Sequence, residues 1–399
     1  MIIKGVKAKS IKDSRRDLTV QVSIDTNVGK FVSSAPNGKS KGKHEAKSYK
    51  KSLEGDIDSL GKISDYFSSE HLEKFEDLRR IEDIVGGHIG ANTLFALESA
   101  ALKAIAKEQK KEIWQIIRET PNSFDKLNEP KAPKLIPRLV GNCIGGGLHS
   151  ELVNGKRPDF QEFLIIPKLN SAILGFKINS EGKKFAEELL KEKDSKFRSK
   201  KNDENAWMTS LNEKEVLEIL TETKIPLGLD VASAGFFKRK KYHYKNPPID
   251  RTSEEQLMYL SNLIKNFPLI YVEDPFDEED FETHAKLLKL VGKNCMVVGD
   301  DLTVTNFKRL QKAIEMKSLN ALIMKPNQNG SLIDISRVVE LAKKKGIKMI
   351  FSHRSGETKE SILADLAFGF GADFIKCGIT GPEREIKIKR LIEIEKSLK

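Results

Sequence analysis

Six positions, each at or just after the end of a short apolar run, carry most of the chemistry this chain can do. Ile225-Pro-Leu-Gly-Leu leads to Asp230, Leu269-Ile-Tyr-Val to Glu273, and Met296-Val-Val-Gly to Asp300. The next three runs lead to cations: Ala321-Leu-Ile-Met to Lys325, Lys348-Met-Ile-Phe-Ser to His353-Arg354, and Asp373-Phe-Ile to Lys376. Three carboxylates brought to one point repel, and one or two would hold protons unless a cation sat among them. Hard oxygen ligands with open positions for water suit magnesium better than zinc. Each acid alone could cap the helix after its strand; three in series facing three cations point to a metal site instead. Asp274 and Asp301, the second acids of their pairs, read as supporting or capping groups.

The cationic half suits a multiply anionic substrate. Arginine grips a phosphate through two parallel N–H donors, whereas lysine acts as a compact charge. A lysine near a metal and other cations has a lowered proton affinity, so Lys325 is expected to act as a base near neutral pH. Removing a proton beside a carboxylate builds up negative charge that a metal would stabilise.

Such groups converge if the runs are parallel strands of one barrel. The later runs recur at roughly 25-residue intervals, about one strand, one helix and two loops. About 260 residues follow the Pro-rich stretch Pro121 to Pro137, close to the ~250 of an eight-stranded (β/α) barrel. A doubly wound sheet also alternates in this way, but no GxGxxG or GxxxxGK loop follows a strand. Ahead of the barrel, residues 2–34 alternate as antiparallel strands, and from His44 to about Thr120 the spacing is helical, with Leu94, Leu97, Ala101, Leu102 and Ile105 on one face. The expected organisation is therefore α/β: an N-terminal α+β domain over 1–125 and a (β/α) barrel over 135–399.

At 399 residues, 39% hydrophobic and 32% charged, the chain can fill two cores and stay soluble. Its apolar runs are too short for a bilayer and no secretory h-region is visible. Three scattered cysteines fit neither a disulfide framework nor a zinc site and suit a reducing cytoplasm. The net charge of +11 comes from lysines spread along helices beside glutamates, as in Lys183 to Lys193, so neither nucleic acid nor a membrane is an expected partner.

The segments Asp300-Asp-Leu-Thr-Val-Thr-Asn306, Ser352-His-Arg-Ser-Gly-Glu-Thr358, Glu273-Asp-Pro-Phe276 and Gly228-Leu-Asp-Val-Ala-Ser233 closely resemble the enolase family. So do Gln161-Glu-Phe163, Lys325-Pro-Asn-Gln328, Asp13-Ser-Arg15 and Gly42-Lys-His-Glu-Ala46, in order from about residue 3 to 395. The resemblance implies an enolase-type barrel and magnesium-dependent, reversible dehydration of 2-phosphoglycerate, a small phosphorylated carboxylate, to phosphoenolpyruvate. It makes Asp230, Glu273 and Asp300 ligands of one Mg²⁺ and Ser40 a lid ligand of a second. It makes Lys325 the base, Arg354 and Ser355 the phosphate-binding pair, and Lys376 the contact to the substrate carboxylate. His149, Gln161, Glu162 and His353 fall near the leaving hydroxyl or the phosphate. At least a homodimer, or a higher even-numbered oligomer, is implied as well.

The periphery departs from the family. The general acid sits in a Gly-Asp-Glu-Gly-Gly loop there; the match here, Asn202-Asp-Glu-Asn-Ala206, offers Glu204 but none of the glycines, so its path is expected to differ. The first lid reads Asn37-Gly-Lys-Ser-Lys-Gly42, whose lysines would repel a second cation or bind substrate phosphate. Two other readings follow: an enolase-fold paralogue with another carboxylate substrate, and a non-catalytic binding or regulatory protein.

Overall fold

The computed structural model describes residues 1–39, 42–119 and 135–398. Residues 126–134, where the domain boundary is expected, lie outside these, as does Ser40.

The chain opens with the antiparallel sheet β1 (Ile3–Lys12), β2 (Leu18–Thr26) and β3 (Gly29–Ser34). Alternation puts Val20, Val22 and Ile24 of β2 in the core, each fully buried. Helices α1 (Leu53–Ile63), α2 (Leu78–Val85), α3 (Ala91–Glu108) and α4 (Ile113–Arg118) follow. Helix α3 is buried nearly all round because it packs on the sheet on one side and the barrel on the other. Two of its polar residues meet the barrel: Asn92 Oδ1 accepts from Asn327 Nδ2 at 2.9 Å, and Glu98 accepts from the Leu332 N–H at 2.6 Å.

The second part begins with β4 (Arg138–Gly145), β5 (Glu162–Ile165), α5 (Ala172–Lys193), the short β6 (Trp207–Met208), α6 (Glu213–Thr221) and β7 (Leu227–Asp230). A small sheet of β8 (Phe237–Lys238), β9 (Lys241–Lys245) and β10 (Pro248–Arg251) leads to α7 (Ser253–Asn266). Then β11 (Leu269–Glu273), α8 (Phe281–Val291), β12 (Met296–Gly299), α9 (Phe307–Glu315) and β13 (Ala321–Met324) alternate. The short α10 (Pro326–Asn329), α11 (Leu332–Lys344), β14 (Lys348–Ser352), α12 (Ile362–Gly369), β15 (Phe374–Gly378) and α13 (Pro382–Ser397) finish the chain.

Strands β4, β5, β7 and β11 to β15 form a ring closed by β15 pairing with β4: the expected eight-stranded barrel. It is not wholly parallel. Strand β5 runs antiparallel to both β4 and β7, so the uniform parallel array expected from the rhythm of the runs is corrected there. Strand β4 carries Gly141 and Asn142 mid-strand, which hid it from a reading based on apolar runs.

Candidate active site

In a parallel barrel the last residue of every strand lies at the same rim. That rule brings Asp230, Glu273, Asp300, Lys325 and the His353-Arg354-Ser355 segment together, with Lys376 inside β15. Antiparallel β5 reaches the rim with its first residue, so Glu162 stands opposite Asp230 in register. None of the three metal-type acids is used as a cap. The helices that follow them are capped by Thr252, Asp280 and Asn306, each accepting a backbone N–H of the first turn.

Lys376 Nζ sits in a nest of acids, 2.8 Å from Asp230 Oδ2, 2.7 Å from Glu273 Oε2 and 3.2 Å from Glu162 Oε2. Burial pushes the Glu273 carboxyl up to about 8, helped by the Asp230 charge. Its Oε1 is buried without a hydrogen-bond partner. A second group of acids, Asp274, Asp300 and Asp301, places carboxylate oxygens within 4.8 Å of one another. The orphaned Glu273 oxygen and the crowding of these carboxylates fit a hard divalent cation, which would remove the mutual repulsion.

Lys325 forms an ion pair with Asp300 Oδ2, and Gln328 Nε2 donates to Asp300 Oδ1 at 3.3 Å. Burial alone would lower the lysine's proton affinity, but the touching Asp300 carboxylate prevails and raises it. A cation held by Asp300 would compete for that carboxylate and weaken its hold on the lysine, which is the setting in which a lowered affinity is expected.

Glu204 is buried despite the lost glycines. Asn205 takes a left-handed φ of 64°, which asparagine tolerates better than most residues. The Asn202 side chain accepts the N–H groups of Glu204 and Ala206 at 3.0 and 2.9 Å, closing the turn. Glu204 accepts from Asn142 Nδ2 at 3.0 Å and lies 3.3 Å from His149 Nδ1 and 3.5 Å from His353 Nε2. One carboxylate oxygen each from Glu162 and Glu204 and a His149 ring nitrogen fall within 4.8 Å of one another. Burial and the Glu204 charge raise Glu162 well above the carboxylate range, so in this pair the proton rests on Glu162.

Arg354 is held by Glu45 through both carboxylate oxygens and by Asn327, while its own N–H donates to Glu357 at 2.9 Å. Ser355 Oγ accepts from the Lys39 N–H at 2.8 Å and from Arg15 at 3.2 Å. Gln161 Nε2 donates to Asp230 at 3.4 Å. A close pocket joins His149, Gln161, Glu162, Glu204, Asp230, Lys325, His353, Arg354, Ser355 and Lys376; Glu273 and Asp300 adjoin it through Lys376 and Lys325. Ser40 lies outside the described residues. Lys39 in the same lid reaches Asp203 at 3.3 Å. Sequence reasoning missed Asn142, concealed in β4, and gave no role to Glu45, the one acid of the lid stretch 36–46, beyond its place in the Gly42 to Ala46 motif.

A family model for the enolase C-terminal TIM barrel domain matches residues 133–399. A protein named enolase from Methanosphaera stadtmanae is 36% identical over 420 residues, covering 100% of this chain and 97% of its own. One from Methanothermobacter thermautotrophicus is 34% identical, with 100% and 97% covered. One from Pyrobaculum aerophilum is 34% identical, with 95% and 91% covered.

Proposed function

The chain belongs to the enolase family, and on that premise we propose how its residues divide the reversible dehydration of 2-phosphoglycerate to phosphoenolpyruvate. The observation that carries the reading is the meeting of Asp230, Glu273 and Asp300 with Lys325 and Lys376 at one barrel rim.

Arg354 and Ser355 bind the phosphate, with Arg354 exchanging part of its hold on Glu45 for phosphate oxygens. Lys376 faces the substrate carboxylate. Lys325, unprotonated, takes the proton from the carbon next to that carboxylate. The Glu162–Glu204 pair returns one proton to the hydroxyl leaving the neighbouring carbon, which departs as water, while His149, His353 and Gln161 orient it. Hydration reverses each transfer. Asp230, Glu273 and Asp300 would hold Mg²⁺, with Ser40 serving a second ion. Bound Mg²⁺ supplies electrostatic stabilisation of the negative charge gathering on the substrate carboxylate. A cytoplasmic homodimer, or a higher even-numbered oligomer, completes the proposal; among the described residues no helix is long and apolar enough to cross a membrane.

Resemblance to enolases along the whole chain favours this over a different carboxylate substrate or a non-catalytic role. The test is purified protein with Mg²⁺ and 2-phosphoglycerate, following phosphoenolpyruvate by ultraviolet absorbance. Turnover no greater than that of Lys325→Ala would sink the reading.

A further inference from the structure

Next to the close pocket lies a larger cavity of about 610 Å³. Five aspartates line it, Asp230 and Asp300 among them, together with the cations Arg157, Lys238, Arg239 and Lys245. Three of these four cations belong to the hairpin of β8 and β9, which reads Phe237-Lys-Arg-Lys-Lys-Tyr-His-Tyr-Lys245.

This hairpin breaks local rules at its tip and obeys them at its base. The two turn residues, Arg239 and Lys240, both have left-handed φ, 51° and 63°. A two-residue turn of that shape favours Asn-Gly, and long side chains there are strained. Lys238 and Lys241 stand directly opposite one another in the ladder, where like charges repel. His243 is matched by Asp250 at 2.7 Å, but Lys238, Arg239, Lys240 and Lys245 form no direct ion pair among the described residues. The base, in contrast, is anchored: Tyr242 is fully buried, its ring 4.7 Å from that of Phe237, and its hydroxyl accepts the Asp277 N–H at 3.0 Å. A firm base therefore displays a strained cluster of unpaired cations, of which Lys238, Arg239 and Lys245 line the cavity. Strain that persists in this way points to function.

We propose that the Lys238–Lys241 hairpin is a capture site that draws the anionic substrate into this cavity and toward the reacting groups. The inference rests on the dehydration reading, in which the ligand carries a phosphate and a carboxylate. Aspartates such as Asp159, Asp274 and Asp301 also line the cavity and oppose an entering anion, and the hairpin's cations offset that field. The concave shape suits a small anion rather than a nucleic-acid strand.

The test is the double substitution Arg239→Asn with Lys240→Gly, which installs the favoured turn and removes two charges. The thermal midpoint should rise, showing that the fold is intact, and kcat should be unchanged. At low ionic strength kcat/KM should fall about tenfold, and its dependence on salt should flatten. The charge-preserving Arg239→Lys should keep both. A stabilised double variant with the parent's kcat/KM and salt dependence would overturn the capture site. Loss of oligonucleotide binding with unaltered kcat/KM would overturn it too, reassigning the hairpin to nucleic acid. No turnover in the parent would instead count against the dehydration reading.

Discussion

The Glu45 carboxylate holds the Arg354 guanidinium with both oxygens, at 3.0 and 3.1 Å from Nη2, across 309 positions of chain. Both side chains are almost wholly buried, and a Cβ on Gly38 would meet Arg354 Nη2 at 1.9 Å, so the lid closes tightly over the pair. In the proposed reaction Glu45 stands where a substrate phosphate would compete. Breaking a buried pair from one side leaves a charge uncompensated, so Glu45→Gln should destabilise the ligand-free protein by about 3 kcal/mol. Inorganic phosphate should then raise the variant's thermal midpoint more than the parent's, since it binds only the folded form. Equal phosphate shifts in the two proteins would contradict this.

Asp274 supports the acid cluster from behind. Its two oxygens accept the N–H groups of Asp300 at 2.9 Å and Asp301 at 2.7 Å, and its own φ is 41°. An asparagine can satisfy only one of those donors with its single carbonyl. Asp274→Asn should therefore weaken Mg²⁺ binding by about 10–100-fold, measured by titration calorimetry. An unchanged affinity would mean that Asp300 is held in place by other contacts.

Two buried cations hold the carbonyls on either side of Glu204. Lys183 Nζ donates to the Asn205 carbonyl and, at 2.7 Å, to Thr380, while Arg384 Nη2 donates to the Asp203 carbonyl at 3.3 Å. Burial lowers Lys183 to about 8, a cost borne in holding this turn. Lys183→Met should shift Glu204 and lower kcat by about 10²-fold. KM should change little, because the phosphate contacts lie on the Arg354 segment. A matched rise in KM would show a general loss of the site rather than misplacement of the acid.

The strand-end acids and cations were legible because parallel strands deliver their last residues to one rim, a regularity that spacing alone exposes. Glu162 broke that rule: it begins its strand, and only the antiparallel direction of β5 brings it to Asp230. How the Glu204 turn closes without the family's glycines was hidden for a different reason: Asn205 adopts the left-handed backbone and the Asn202 side chain supplies hydrogen bonds, contacts that a motif alone does not contain. Glu45 could be read only as part of a motif, because its partner lies in a loop that the fold alone brings near. The raised proton affinity of Lys325 depends on direct contact with Asp300, a geometry that spacing does not contain.

Glu213 offers a test of stability away from the reacting groups. It is buried at the start of α6 and accepts the Asp159 N–H at 2.5 Å, and burial pushes its carboxyl up to about 7. An unfolded glutamate titrates near ~4.3. The folded chain thus binds this proton more tightly, so the contribution to stability is complete below the unfolded value and is lost as pH rises through about 7. Glu213→Gln removes the titration while keeping an oxygen to accept from Asp159. Relative to the parent, the variant should gain up to about 3 kcal/mol between acid and mildly alkaline pH. Urea unfolding of both proteins across that range reads the difference directly. A constant difference would mean that Glu213 stays ionised within the fold, with Arg251 supplying the compensation that burial denies.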